Sequence, residues 1–341
     1  MIQKYVIGID VSKSKLDCAI MDFNLLLFNE KSIANNQKSI GSFISTLIKK
    51  LAIDKNQLVI CCENTGIYNR PLELVCSVLG ITLWVEHALK IKRASIDMRG
   101  KDDKKDALRI AEYCIRYIDK LVPFKEPSKI VQEISHLSKS RETLLTQRVA
   151  IENQLKEAET HDNFEYKILS KTYRATLRTL TKSIKKIEAL IETLIDQDDE
   201  IKETRNLLVS IPGIGKQCAI HLIITTDNFT RFDNANHLAC YAGVAPFKNE
   251  SGKIVKRARV SKMANKNIKR LLHMAAMAAI KSNPQLKTYF KRKVEEGKNK
   301  MSVLNAVRNK LVHRIMAVIS RKTPYLPQEV FLLKLKKIFF F

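Results

Sequence analysis

The chain has 341 residues, 60 of them Lys or Arg against 35 Asp or Glu, for a formal net charge of +25 at neutral pH. That length allows two or three domains with a sizeable core, and the positive excess favours a polyanionic partner, nucleic acid first. No apolar run approaches the roughly 20 residues of a membrane-spanning helix, and the first ten residues turn acidic too early for a signal peptide. The seven cysteines form no CxxC pair and no histidines stand at zinc-ligand spacing, so the cysteines read as reduced core thiols of a cytoplasmic protein.

Residues 5–10, 16–21 and 24–31 read as three short strands joined by polar turns. Ile40, Phe43, Ile44, Leu47 and Leu51 give 38–51 the spacing of a helix. A buried strand follows at 58–62, a helix near 68–79, a strand at 81–85 and a helix from about 103 to 117. Three strands and then alternating helix and strand predict a mixed sheet with helices on its faces, in the ribonuclease-H-like arrangement. Pro123 and Pro127 punctuate the end of this unit, and Ser128 is placed to cap the next helix.

From 128 to about 207 the chain is polar, helical and nearly free of Gly and Pro. Leu177, Leu180, Ile184, Ile187, Ile191 and Leu194 form a short coiled-coil seam, and His161-Asp-Asn163 marks the turn of an antiparallel hairpin. A seam within one chain and a seam between chains fit the pattern equally. A third unit starts at Leu207, with helices at about 216–226, 233–241, 265–281 and 302–320 around a turn-and-strand stretch at 242–260. The domains expected are 1–122, 123–206 and 207–325, with a basic, apolar tail at 326–341.

Four carboxylates stand out. Asp10 ends the run Tyr5-Val-Ile-Gly-Ile-Asp10, Glu63 ends Leu58-Val-Ile-Cys-Cys-Glu63, and Asp103 and Asp106 sit in Lys101-Asp-Asp-Lys-Lys-Asp-Ala107. Singly, such acids are strand-end turns or helix caps. As a set in a basic chain they suit a divalent-metal site, because two ions about 3.5–4 Å apart can hold the attacking and leaving oxygens of a phosphodiester, and Mg²⁺ prefers oxygen ligands. Asp103 and Asp106 share a helix face at three residues apart, and Asp102 and Asp106 share one at four, so spacing leaves Asp102 and Asp103 both open.

Two further segments carry chemistry. Ile211-Pro-Gly-Ile-Gly215 precedes a helix, so Gly213, Gly215 and Lys216 suit backbone contact with a phosphate, as in a helix-hairpin-helix module; an ordinary glycine turn is the other reading. Ser251-Gly252 is followed by Lys253, Lys256, Arg257 and Arg259, cations that would stabilise a serine alkoxide and hold a scissile phosphate; a plain turn again competes. Lys262, Lys266, Lys269 and Arg270 extend the basic surface as candidate nucleic-acid contacts.

Taken in order, Gly8-Ile-Asp10-Val-Ser-Lys13, Glu63-Asn-Thr-Gly66, Lys101-Asp-Asp-Lys-Lys-Asp-Ala107, Pro212-Gly-Ile-Gly215, Ala242-Gly-Val-Ala-Pro246 and Ser251-Gly252 resemble the DEDD transposases of bacterial insertion sequences, the IS-one-ten family, over nearly the whole chain. The resemblance implies α/β plus all-α architecture: a RuvC-like (ribonuclease-H-like) mixed sheet, a helical coiled-coil hairpin, and a mostly helical C-terminal domain with a helix-hairpin-helix-like motif. It implies catalytic, metal-binding Asp10, Glu63, Asp103 and Asp106 with Mg²⁺ (two ions, or Mn²⁺) as cofactor, and Ser251 as the nucleophile that joins covalently to DNA. It further implies donor and target DNA, a bridge RNA and a homotetramer with composite sites as partners, in a cytoplasmic, nucleoid-associated protein. Two positions depart from the family's pattern: Asp102 where Thr is common, and Glu250 before the serine where Gln is common. The competing functions are a RuvC-like nuclease that uses water, a non-catalytic nucleic-acid scaffold, and an actin-like kinase. Val11-Ser12-Lys13 after Asp10 and the charge of +25 speak against the kinase.

Overall fold

The computed structural model describes residues 3–25, 27–94, 103–161, 163–251, 254–260 and 264–327. The chain packs as two units, Met1–Glu126 and Pro127–Phe341. In the first, β1 (Tyr5–Val11), β2 (Lys15–Asp22), β3 (Leu27–Ala34), β4 (Leu58–Glu63) and β5 (Thr82–Glu86) form one sheet in the order β3-β2-β1-β4-β5. β1 and β2 pair antiparallel, as do β2 and β3, whereas β4 is parallel to β1 and β5 to β4. This is the mixed, ribonuclease-H-like topology that the element order predicts.

Helices α1 (Gln37–Leu51) and α2 (Arg70–Leu79) cover one face of the sheet, on Ile7, Ile9, Leu58, Ile60 and Cys62. After the short α3 (Ala88–Ala94), α4 (Asp103–Arg116) covers the other face, on Val6, Val59, Cys61 and Trp84. Central strands buried on both faces read as continuous apolar runs, so 5–9 and 58–62 were legible as strands. Helix α3 was not: it is seven residues long, basic, and buries Ile91 alone.

The second unit opens with α5 (Lys129–Ala158), capped by Ser128, whose Oγ accepts from the Val131 amide at 3.2 Å, and continues with α6 (Phe164–Asp196). The two run antiparallel, since Arg141 bridges Glu188 and Arg174 bridges Glu159, both at 2.7 Å. Ile184 and Ile191 of the seam are buried, Ile187 and Leu194 pack on the core, and towards the turn Phe164, Ile168 and Leu169 are exposed. The hairpin's open end joins a core made with α7 (Asp199–Val209), α8 (Lys216–Thr226), α9 (Ala235–Tyr241), α10 (Lys266–Ser282), α11 (Pro284–Glu295) and α12 (Lys300–Arg321). A two-stranded hairpin of β6 (Pro246–Ser251) and β7 (Ile254–Val260) lies between α9 and α10 in the chain.

Two helices here depart from the expected pattern. The run to 207 is interrupted at 197–198, where Asp198 caps α7 by accepting from the Ile201 amide. Helix α11 was missed because Pro284 resembles a breaker; it stands in the first turn, where proline costs no hydrogen bond, and Asn283 caps it by accepting from the Leu286 amide. Among the described residues no helix is long and apolar enough to cross a membrane. Lys253, Lys262, Asp102 and the tail from 328 lie outside the described residues.

Candidate carboxylate site and serine hairpin

Strand register builds the first site. Ile9 of β1 pairs with Cys62 of β4, so the next residues, Asp10 and Glu63, stand side by side on adjacent strands about 4.8 Å apart. Alternation turns both towards α4, because Val6 and Gly8 precede Asp10 on that face and Val59 and Cys61 precede Glu63.

Gly8 sets how close the helix can come. A Cβ there would lie 2.3 Å from both the Ala107 carbonyl oxygen and the Ala111 nitrogen. No side chain survives such an approach, so α4 rides on bare β1 backbone through two alanines one turn apart. Asp106 immediately precedes Ala107, and Asp103 is the first residue of the same helix. The contact at Gly8 therefore carries Asp106 to the strand ends.

The electrostatics record the convergence. Burial raises the proton affinity of Glu63, and the charges of Asp10 and Asp106 raise it further. Three carboxylates from three separate elements thus repel one another in a half-buried setting. Asp106 is drawn to Arg109 at 2.6 Å. Among the described residues no three Asp, Glu, His or Cys side chains form a finished metal cage. The donor set nevertheless fits a hard divalent cation, being all oxygen and carrying a repulsion that a cation would relieve.

The turn after Glu63 is locked from below. Asn69 is fully buried; its Nδ2 donates to the Glu63 carbonyl at 2.8 Å, and its Oδ1 accepts from the amide and hydroxyl of Thr65. That explains Glu63-Asn-Thr-Gly66 as a strand end followed by a tied loop. Sequence reasoning missed two flanking acids in the same row. Asp17 pairs with Asp10 across β1 and β2, and Glu86 pairs with Glu63 across β4 and β5; both are buried. The signal for Glu86 was present, since Thr82-Leu-Trp-Val-Glu86 is another apolar run closed by an acid.

In the second unit, Ser251 is the last residue of β6 and pairs with Ile254 of β7. The strand springs from a fixed base: Ala242 and Val244 are fully buried, and Asn305 of α12 donates to the Val244 carbonyl at 2.9 Å. Lys256, Arg257 and Arg259 lie on β7. Asn265 caps α10 and donates through Nδ2 to the Tyr241 hydroxyl at 3.0 Å, placing Lys266, Lys269 and Arg270 in the first turns of that helix.

The glycines of Pro212-Gly-Ile-Gly215 divide. Gly213 has φ +93°, and a Cβ would lie 2.4 Å from the Ala275 carbonyl oxygen and 2.7 Å from Ala279 Cβ. Its missing side chain is needed to seat the turn on α10, a packing role that the phosphate reading overlooked. Gly215 has open space at its Cα and caps α8. Two expected phosphate contacts are paired internally: Lys216 with Glu192 of α6 at 3.2 Å, and Arg270 with Glu142 of α5 at 3.7 Å.

Two family models match the chain. One, described as a DEDD transposase of IS110 type, matches residues 7–158, and the other, described as "Transposase IS116/IS110/IS902 family", matches residues 205–291. The pilin gene-inverting protein of Moraxella bovis is 28% identical over 327 residues, covering 94% of this chain and 98% of that protein. The corresponding protein of Moraxella lacunata is 29% identical over 328 residues with the same coverage. The "Transposase for insertion sequence element IS1111A" of Coxiella burnetii is 24% identical over 251 residues, 66% of this chain and 68% of that one. The first model spans Asp10, Glu63, Asp103 and Asp106, and the second spans Ser251 and the basic helix α10. The chain belongs to the DEDD transposases of the IS110 family, and it is a DNA transposase or recombinase.

Proposed function

We propose that this enzyme cuts and rejoins DNA strands with a divalent-metal carboxylate site and a serine nucleophile. The observation that carries the metal half is the convergence of three acids: parallel pairing of β1 with β4 sets Asp10 beside Glu63, and the close packing of α4 on Gly8 brings Asp106 to them, in keeping with the proton affinity of Glu63 being raised by burial and then by Asp10 and Asp106. Asp10, Glu63 and Asp106, with Asp103 from the first turn of α4, would hold two Mg²⁺ ions, or Mn²⁺ in their place. Bound there, the ions would neutralise the scissile phosphate and clamp its attacking and leaving oxygens. Asn69 holds Glu63's main chain, and the Gly8 contact holds the turn of α4 that carries Asp106, which supports a site whose backbone is fixed in advance of metal.

Ser251 Oγ supplies the nucleophile. It bonds to the scissile phosphorus as the bond to the leaving deoxyribose oxygen breaks; the serine proton departs and the leaving oxygen takes one up. The phosphoserine link conserves the phosphoester, so attack by a deoxyribose hydroxyl of another strand restores DNA and free serine without an added energy source. Lys253, Lys256, Arg257, Arg259 and Lys262 would hold the phosphate, while Gly213, Gly215, Lys216, Lys266, Lys269 and Arg270 would contact backbone in a sequence-independent way. Target choice would fall to a bridge RNA, with base pairing reading sequence and protein reading shape. The long hairpin, used as a coiled coil, would join protomers into a tetramer with composite sites in the bacterial cytoplasm. The Moraxella relatives are named for gene inversion, which needs the same two steps, cutting and rejoining.

Ser251→Ala, tested beside Asp10→Asn, separates this from hydrolysis. With Mg²⁺ and a guide-bearing preparation, Asp10→Asn is expected to lose strand cleavage altogether. Ser251→Ala is expected to lose both cleavage and the covalent protein–DNA species on a denaturing gel. Continued cleavage by Ser251→Ala would point to water as the nucleophile, and RNase-insensitive exchange would remove the guide.

A further inference from the structure

Glu86 closes β5 as Glu63 closes β4, and the two are paired across the parallel ladder. It is 7% exposed, and a carboxylate that deep is costly unless its oxygens are satisfied. Here they are. Oε1 accepts from the His87 amide at 2.7 Å and lies 3.0 Å from Lys90 Nζ, and Oε2 accepts from Lys90 Nζ and the Tyr113 hydroxyl, both at 3.1 Å. Its main-chain carbonyl accepts from the Asn64 amide at 2.9 Å. Asn64 directly follows Glu63, and Tyr113 lies two turns beyond Asp106 on α4. One residue therefore grips both elements that bring Glu63 and Asp106 together. Tyr113 is itself held between aromatic rings, 5.3 Å from Trp84 and 5.0 Å from Tyr117.

We propose that Glu86 is a positioning residue of the carboxylate site: through Asn64 and Tyr113 it fixes Glu63 relative to Asp106 and so sets the site's affinity for a divalent cation. The proposal rests on the metal reading of Asp10, Glu63 and Asp106. Glu86 is not itself a ligand, because protein donors meet both of its oxygens. Lys90 balances its charge, so it anchors the site without adding to the repulsion at Glu63.

The test is Mn²⁺ binding to the full-length protein, with free Mn²⁺ read by electron paramagnetic resonance. Trp84, the single tryptophan, gives a second readout through its fluorescence. Glu86→Ala is expected to weaken Mn²⁺ binding roughly tenfold or more, in the range of lost outer-shell partners. Glu86→Gln, which keeps an acceptor for Tyr113, is expected to recover part of that, and Tyr113→Phe to weaken binding by a smaller factor. Leu47→Ala, on the opposite face, serves as a matched loss of stability and should leave Mn²⁺ affinity unchanged. If Glu86→Ala does not fold, Tyr113→Phe decides. Asp10→Asn separates the two ways of failing. If it binds Mn²⁺ as wild type does, the proposal falls together with the metal reading. If it loses Mn²⁺ while Glu86→Ala and Tyr113→Phe keep wild-type affinity, the positioning role alone is overturned.

Discussion

Gly8 in the first unit and Gly213 in the second are built alike and used differently. Each lies under a helix that presents two alanines one turn apart, Ala107 and Ala111 over Gly8, Ala275 and Ala279 over Gly213. In each case a Cβ would strike backbone, which cannot swing aside as a side-chain end can. At Gly8 the close approach delivers Asp106 to the ends of β1 and β4, so the packing contact is also the hinge of the chemistry. At Gly213 it seats a turn on α10 and delivers no acid or nucleophile. The same glycine device therefore does not announce function; what rides on the helix above it does.

Alanine substitutions break the pair apart most strongly. Overpacking a core costs about 1–3 kcal/mol, and Gly213→Ala adds roughly 1–2 kcal/mol because φ +93° is a left-handed conformation for an L residue. Thermal unfolding should accordingly rank Gly213→Ala below Gly8→Ala in stability. Strand cleavage should rank them the other way at a temperature where both are folded, since only Gly8→Ala displaces Asp106. Equal residual cleavage would mean that α4 does not depend on Gly8 for its place. Gly215→Ala, with open space at its Cα, should cost under about 1 kcal/mol as a lost glycine N-cap and report on backbone contact with DNA with little change in stability.

A smaller effect sharpens the acid side of the comparison. The folded pKa of Glu63 is raised, so its contribution to stability is fully present below the unfolded value of about 4.3 and is lost as pH rises through the folded value. Glu63→Gln should raise the melting temperature of the metal-free protein at neutral pH, by on the order of 2 °C. That gain should vanish near pH 4 and be cancelled by saturating Mg²⁺, which stabilises only the wild type. A melting temperature indifferent to both would contradict mutual repulsion among Asp10, Glu63 and Asp106.

The smallest effect concerns the second unit's cations. Lys216 is tied to Glu192 on an exposed surface, where such a pair contributes about 0–1 kcal/mol. Glu192→Gln should free that lysine and tighten binding to non-specific DNA by a few-fold at low salt, with a steeper salt dependence. Unchanged binding, measured by anisotropy across salt, would take Lys216 off the DNA surface.

The sequence carried the strand ends well. Asp10 and Glu63 were legible because an apolar run closed by an acid has one natural reading, a buried strand emerging at the rim of a sheet. The order of elements was enough for the mixed sheet, and Ser128 was legible as a cap because capping chemistry is short-range; Asp198 and Asn283 cap by the same chemistry but were not read as helix starts. Helices α3 and α11 escaped because one is too short for its periodicity to show and the other opens with a proline. Glu86 and Asp17 escaped for a different reason. Asp17 looks like an ordinary strand residue until pairing sets it beside Asp10, and Glu86, though it too closes an apolar run, gains its meaning only beside Glu63; which residues face one another across paired strands is a tertiary fact.

By itself, then, the sequence determined which residues could carry chemistry: acids at strand ends, a serine before a basic run, glycines at turns. Such features depend on local pattern and on charge. Only the tertiary structure decided which of them meet. Parallel pairing of β1 with β4 brought Asp10 to Glu63, bare backbone at Gly8 let α4 bring Asp106 to both, and contact with α10 claimed Gly213 for packing. These outcomes depend on distances between segments that are remote along the chain.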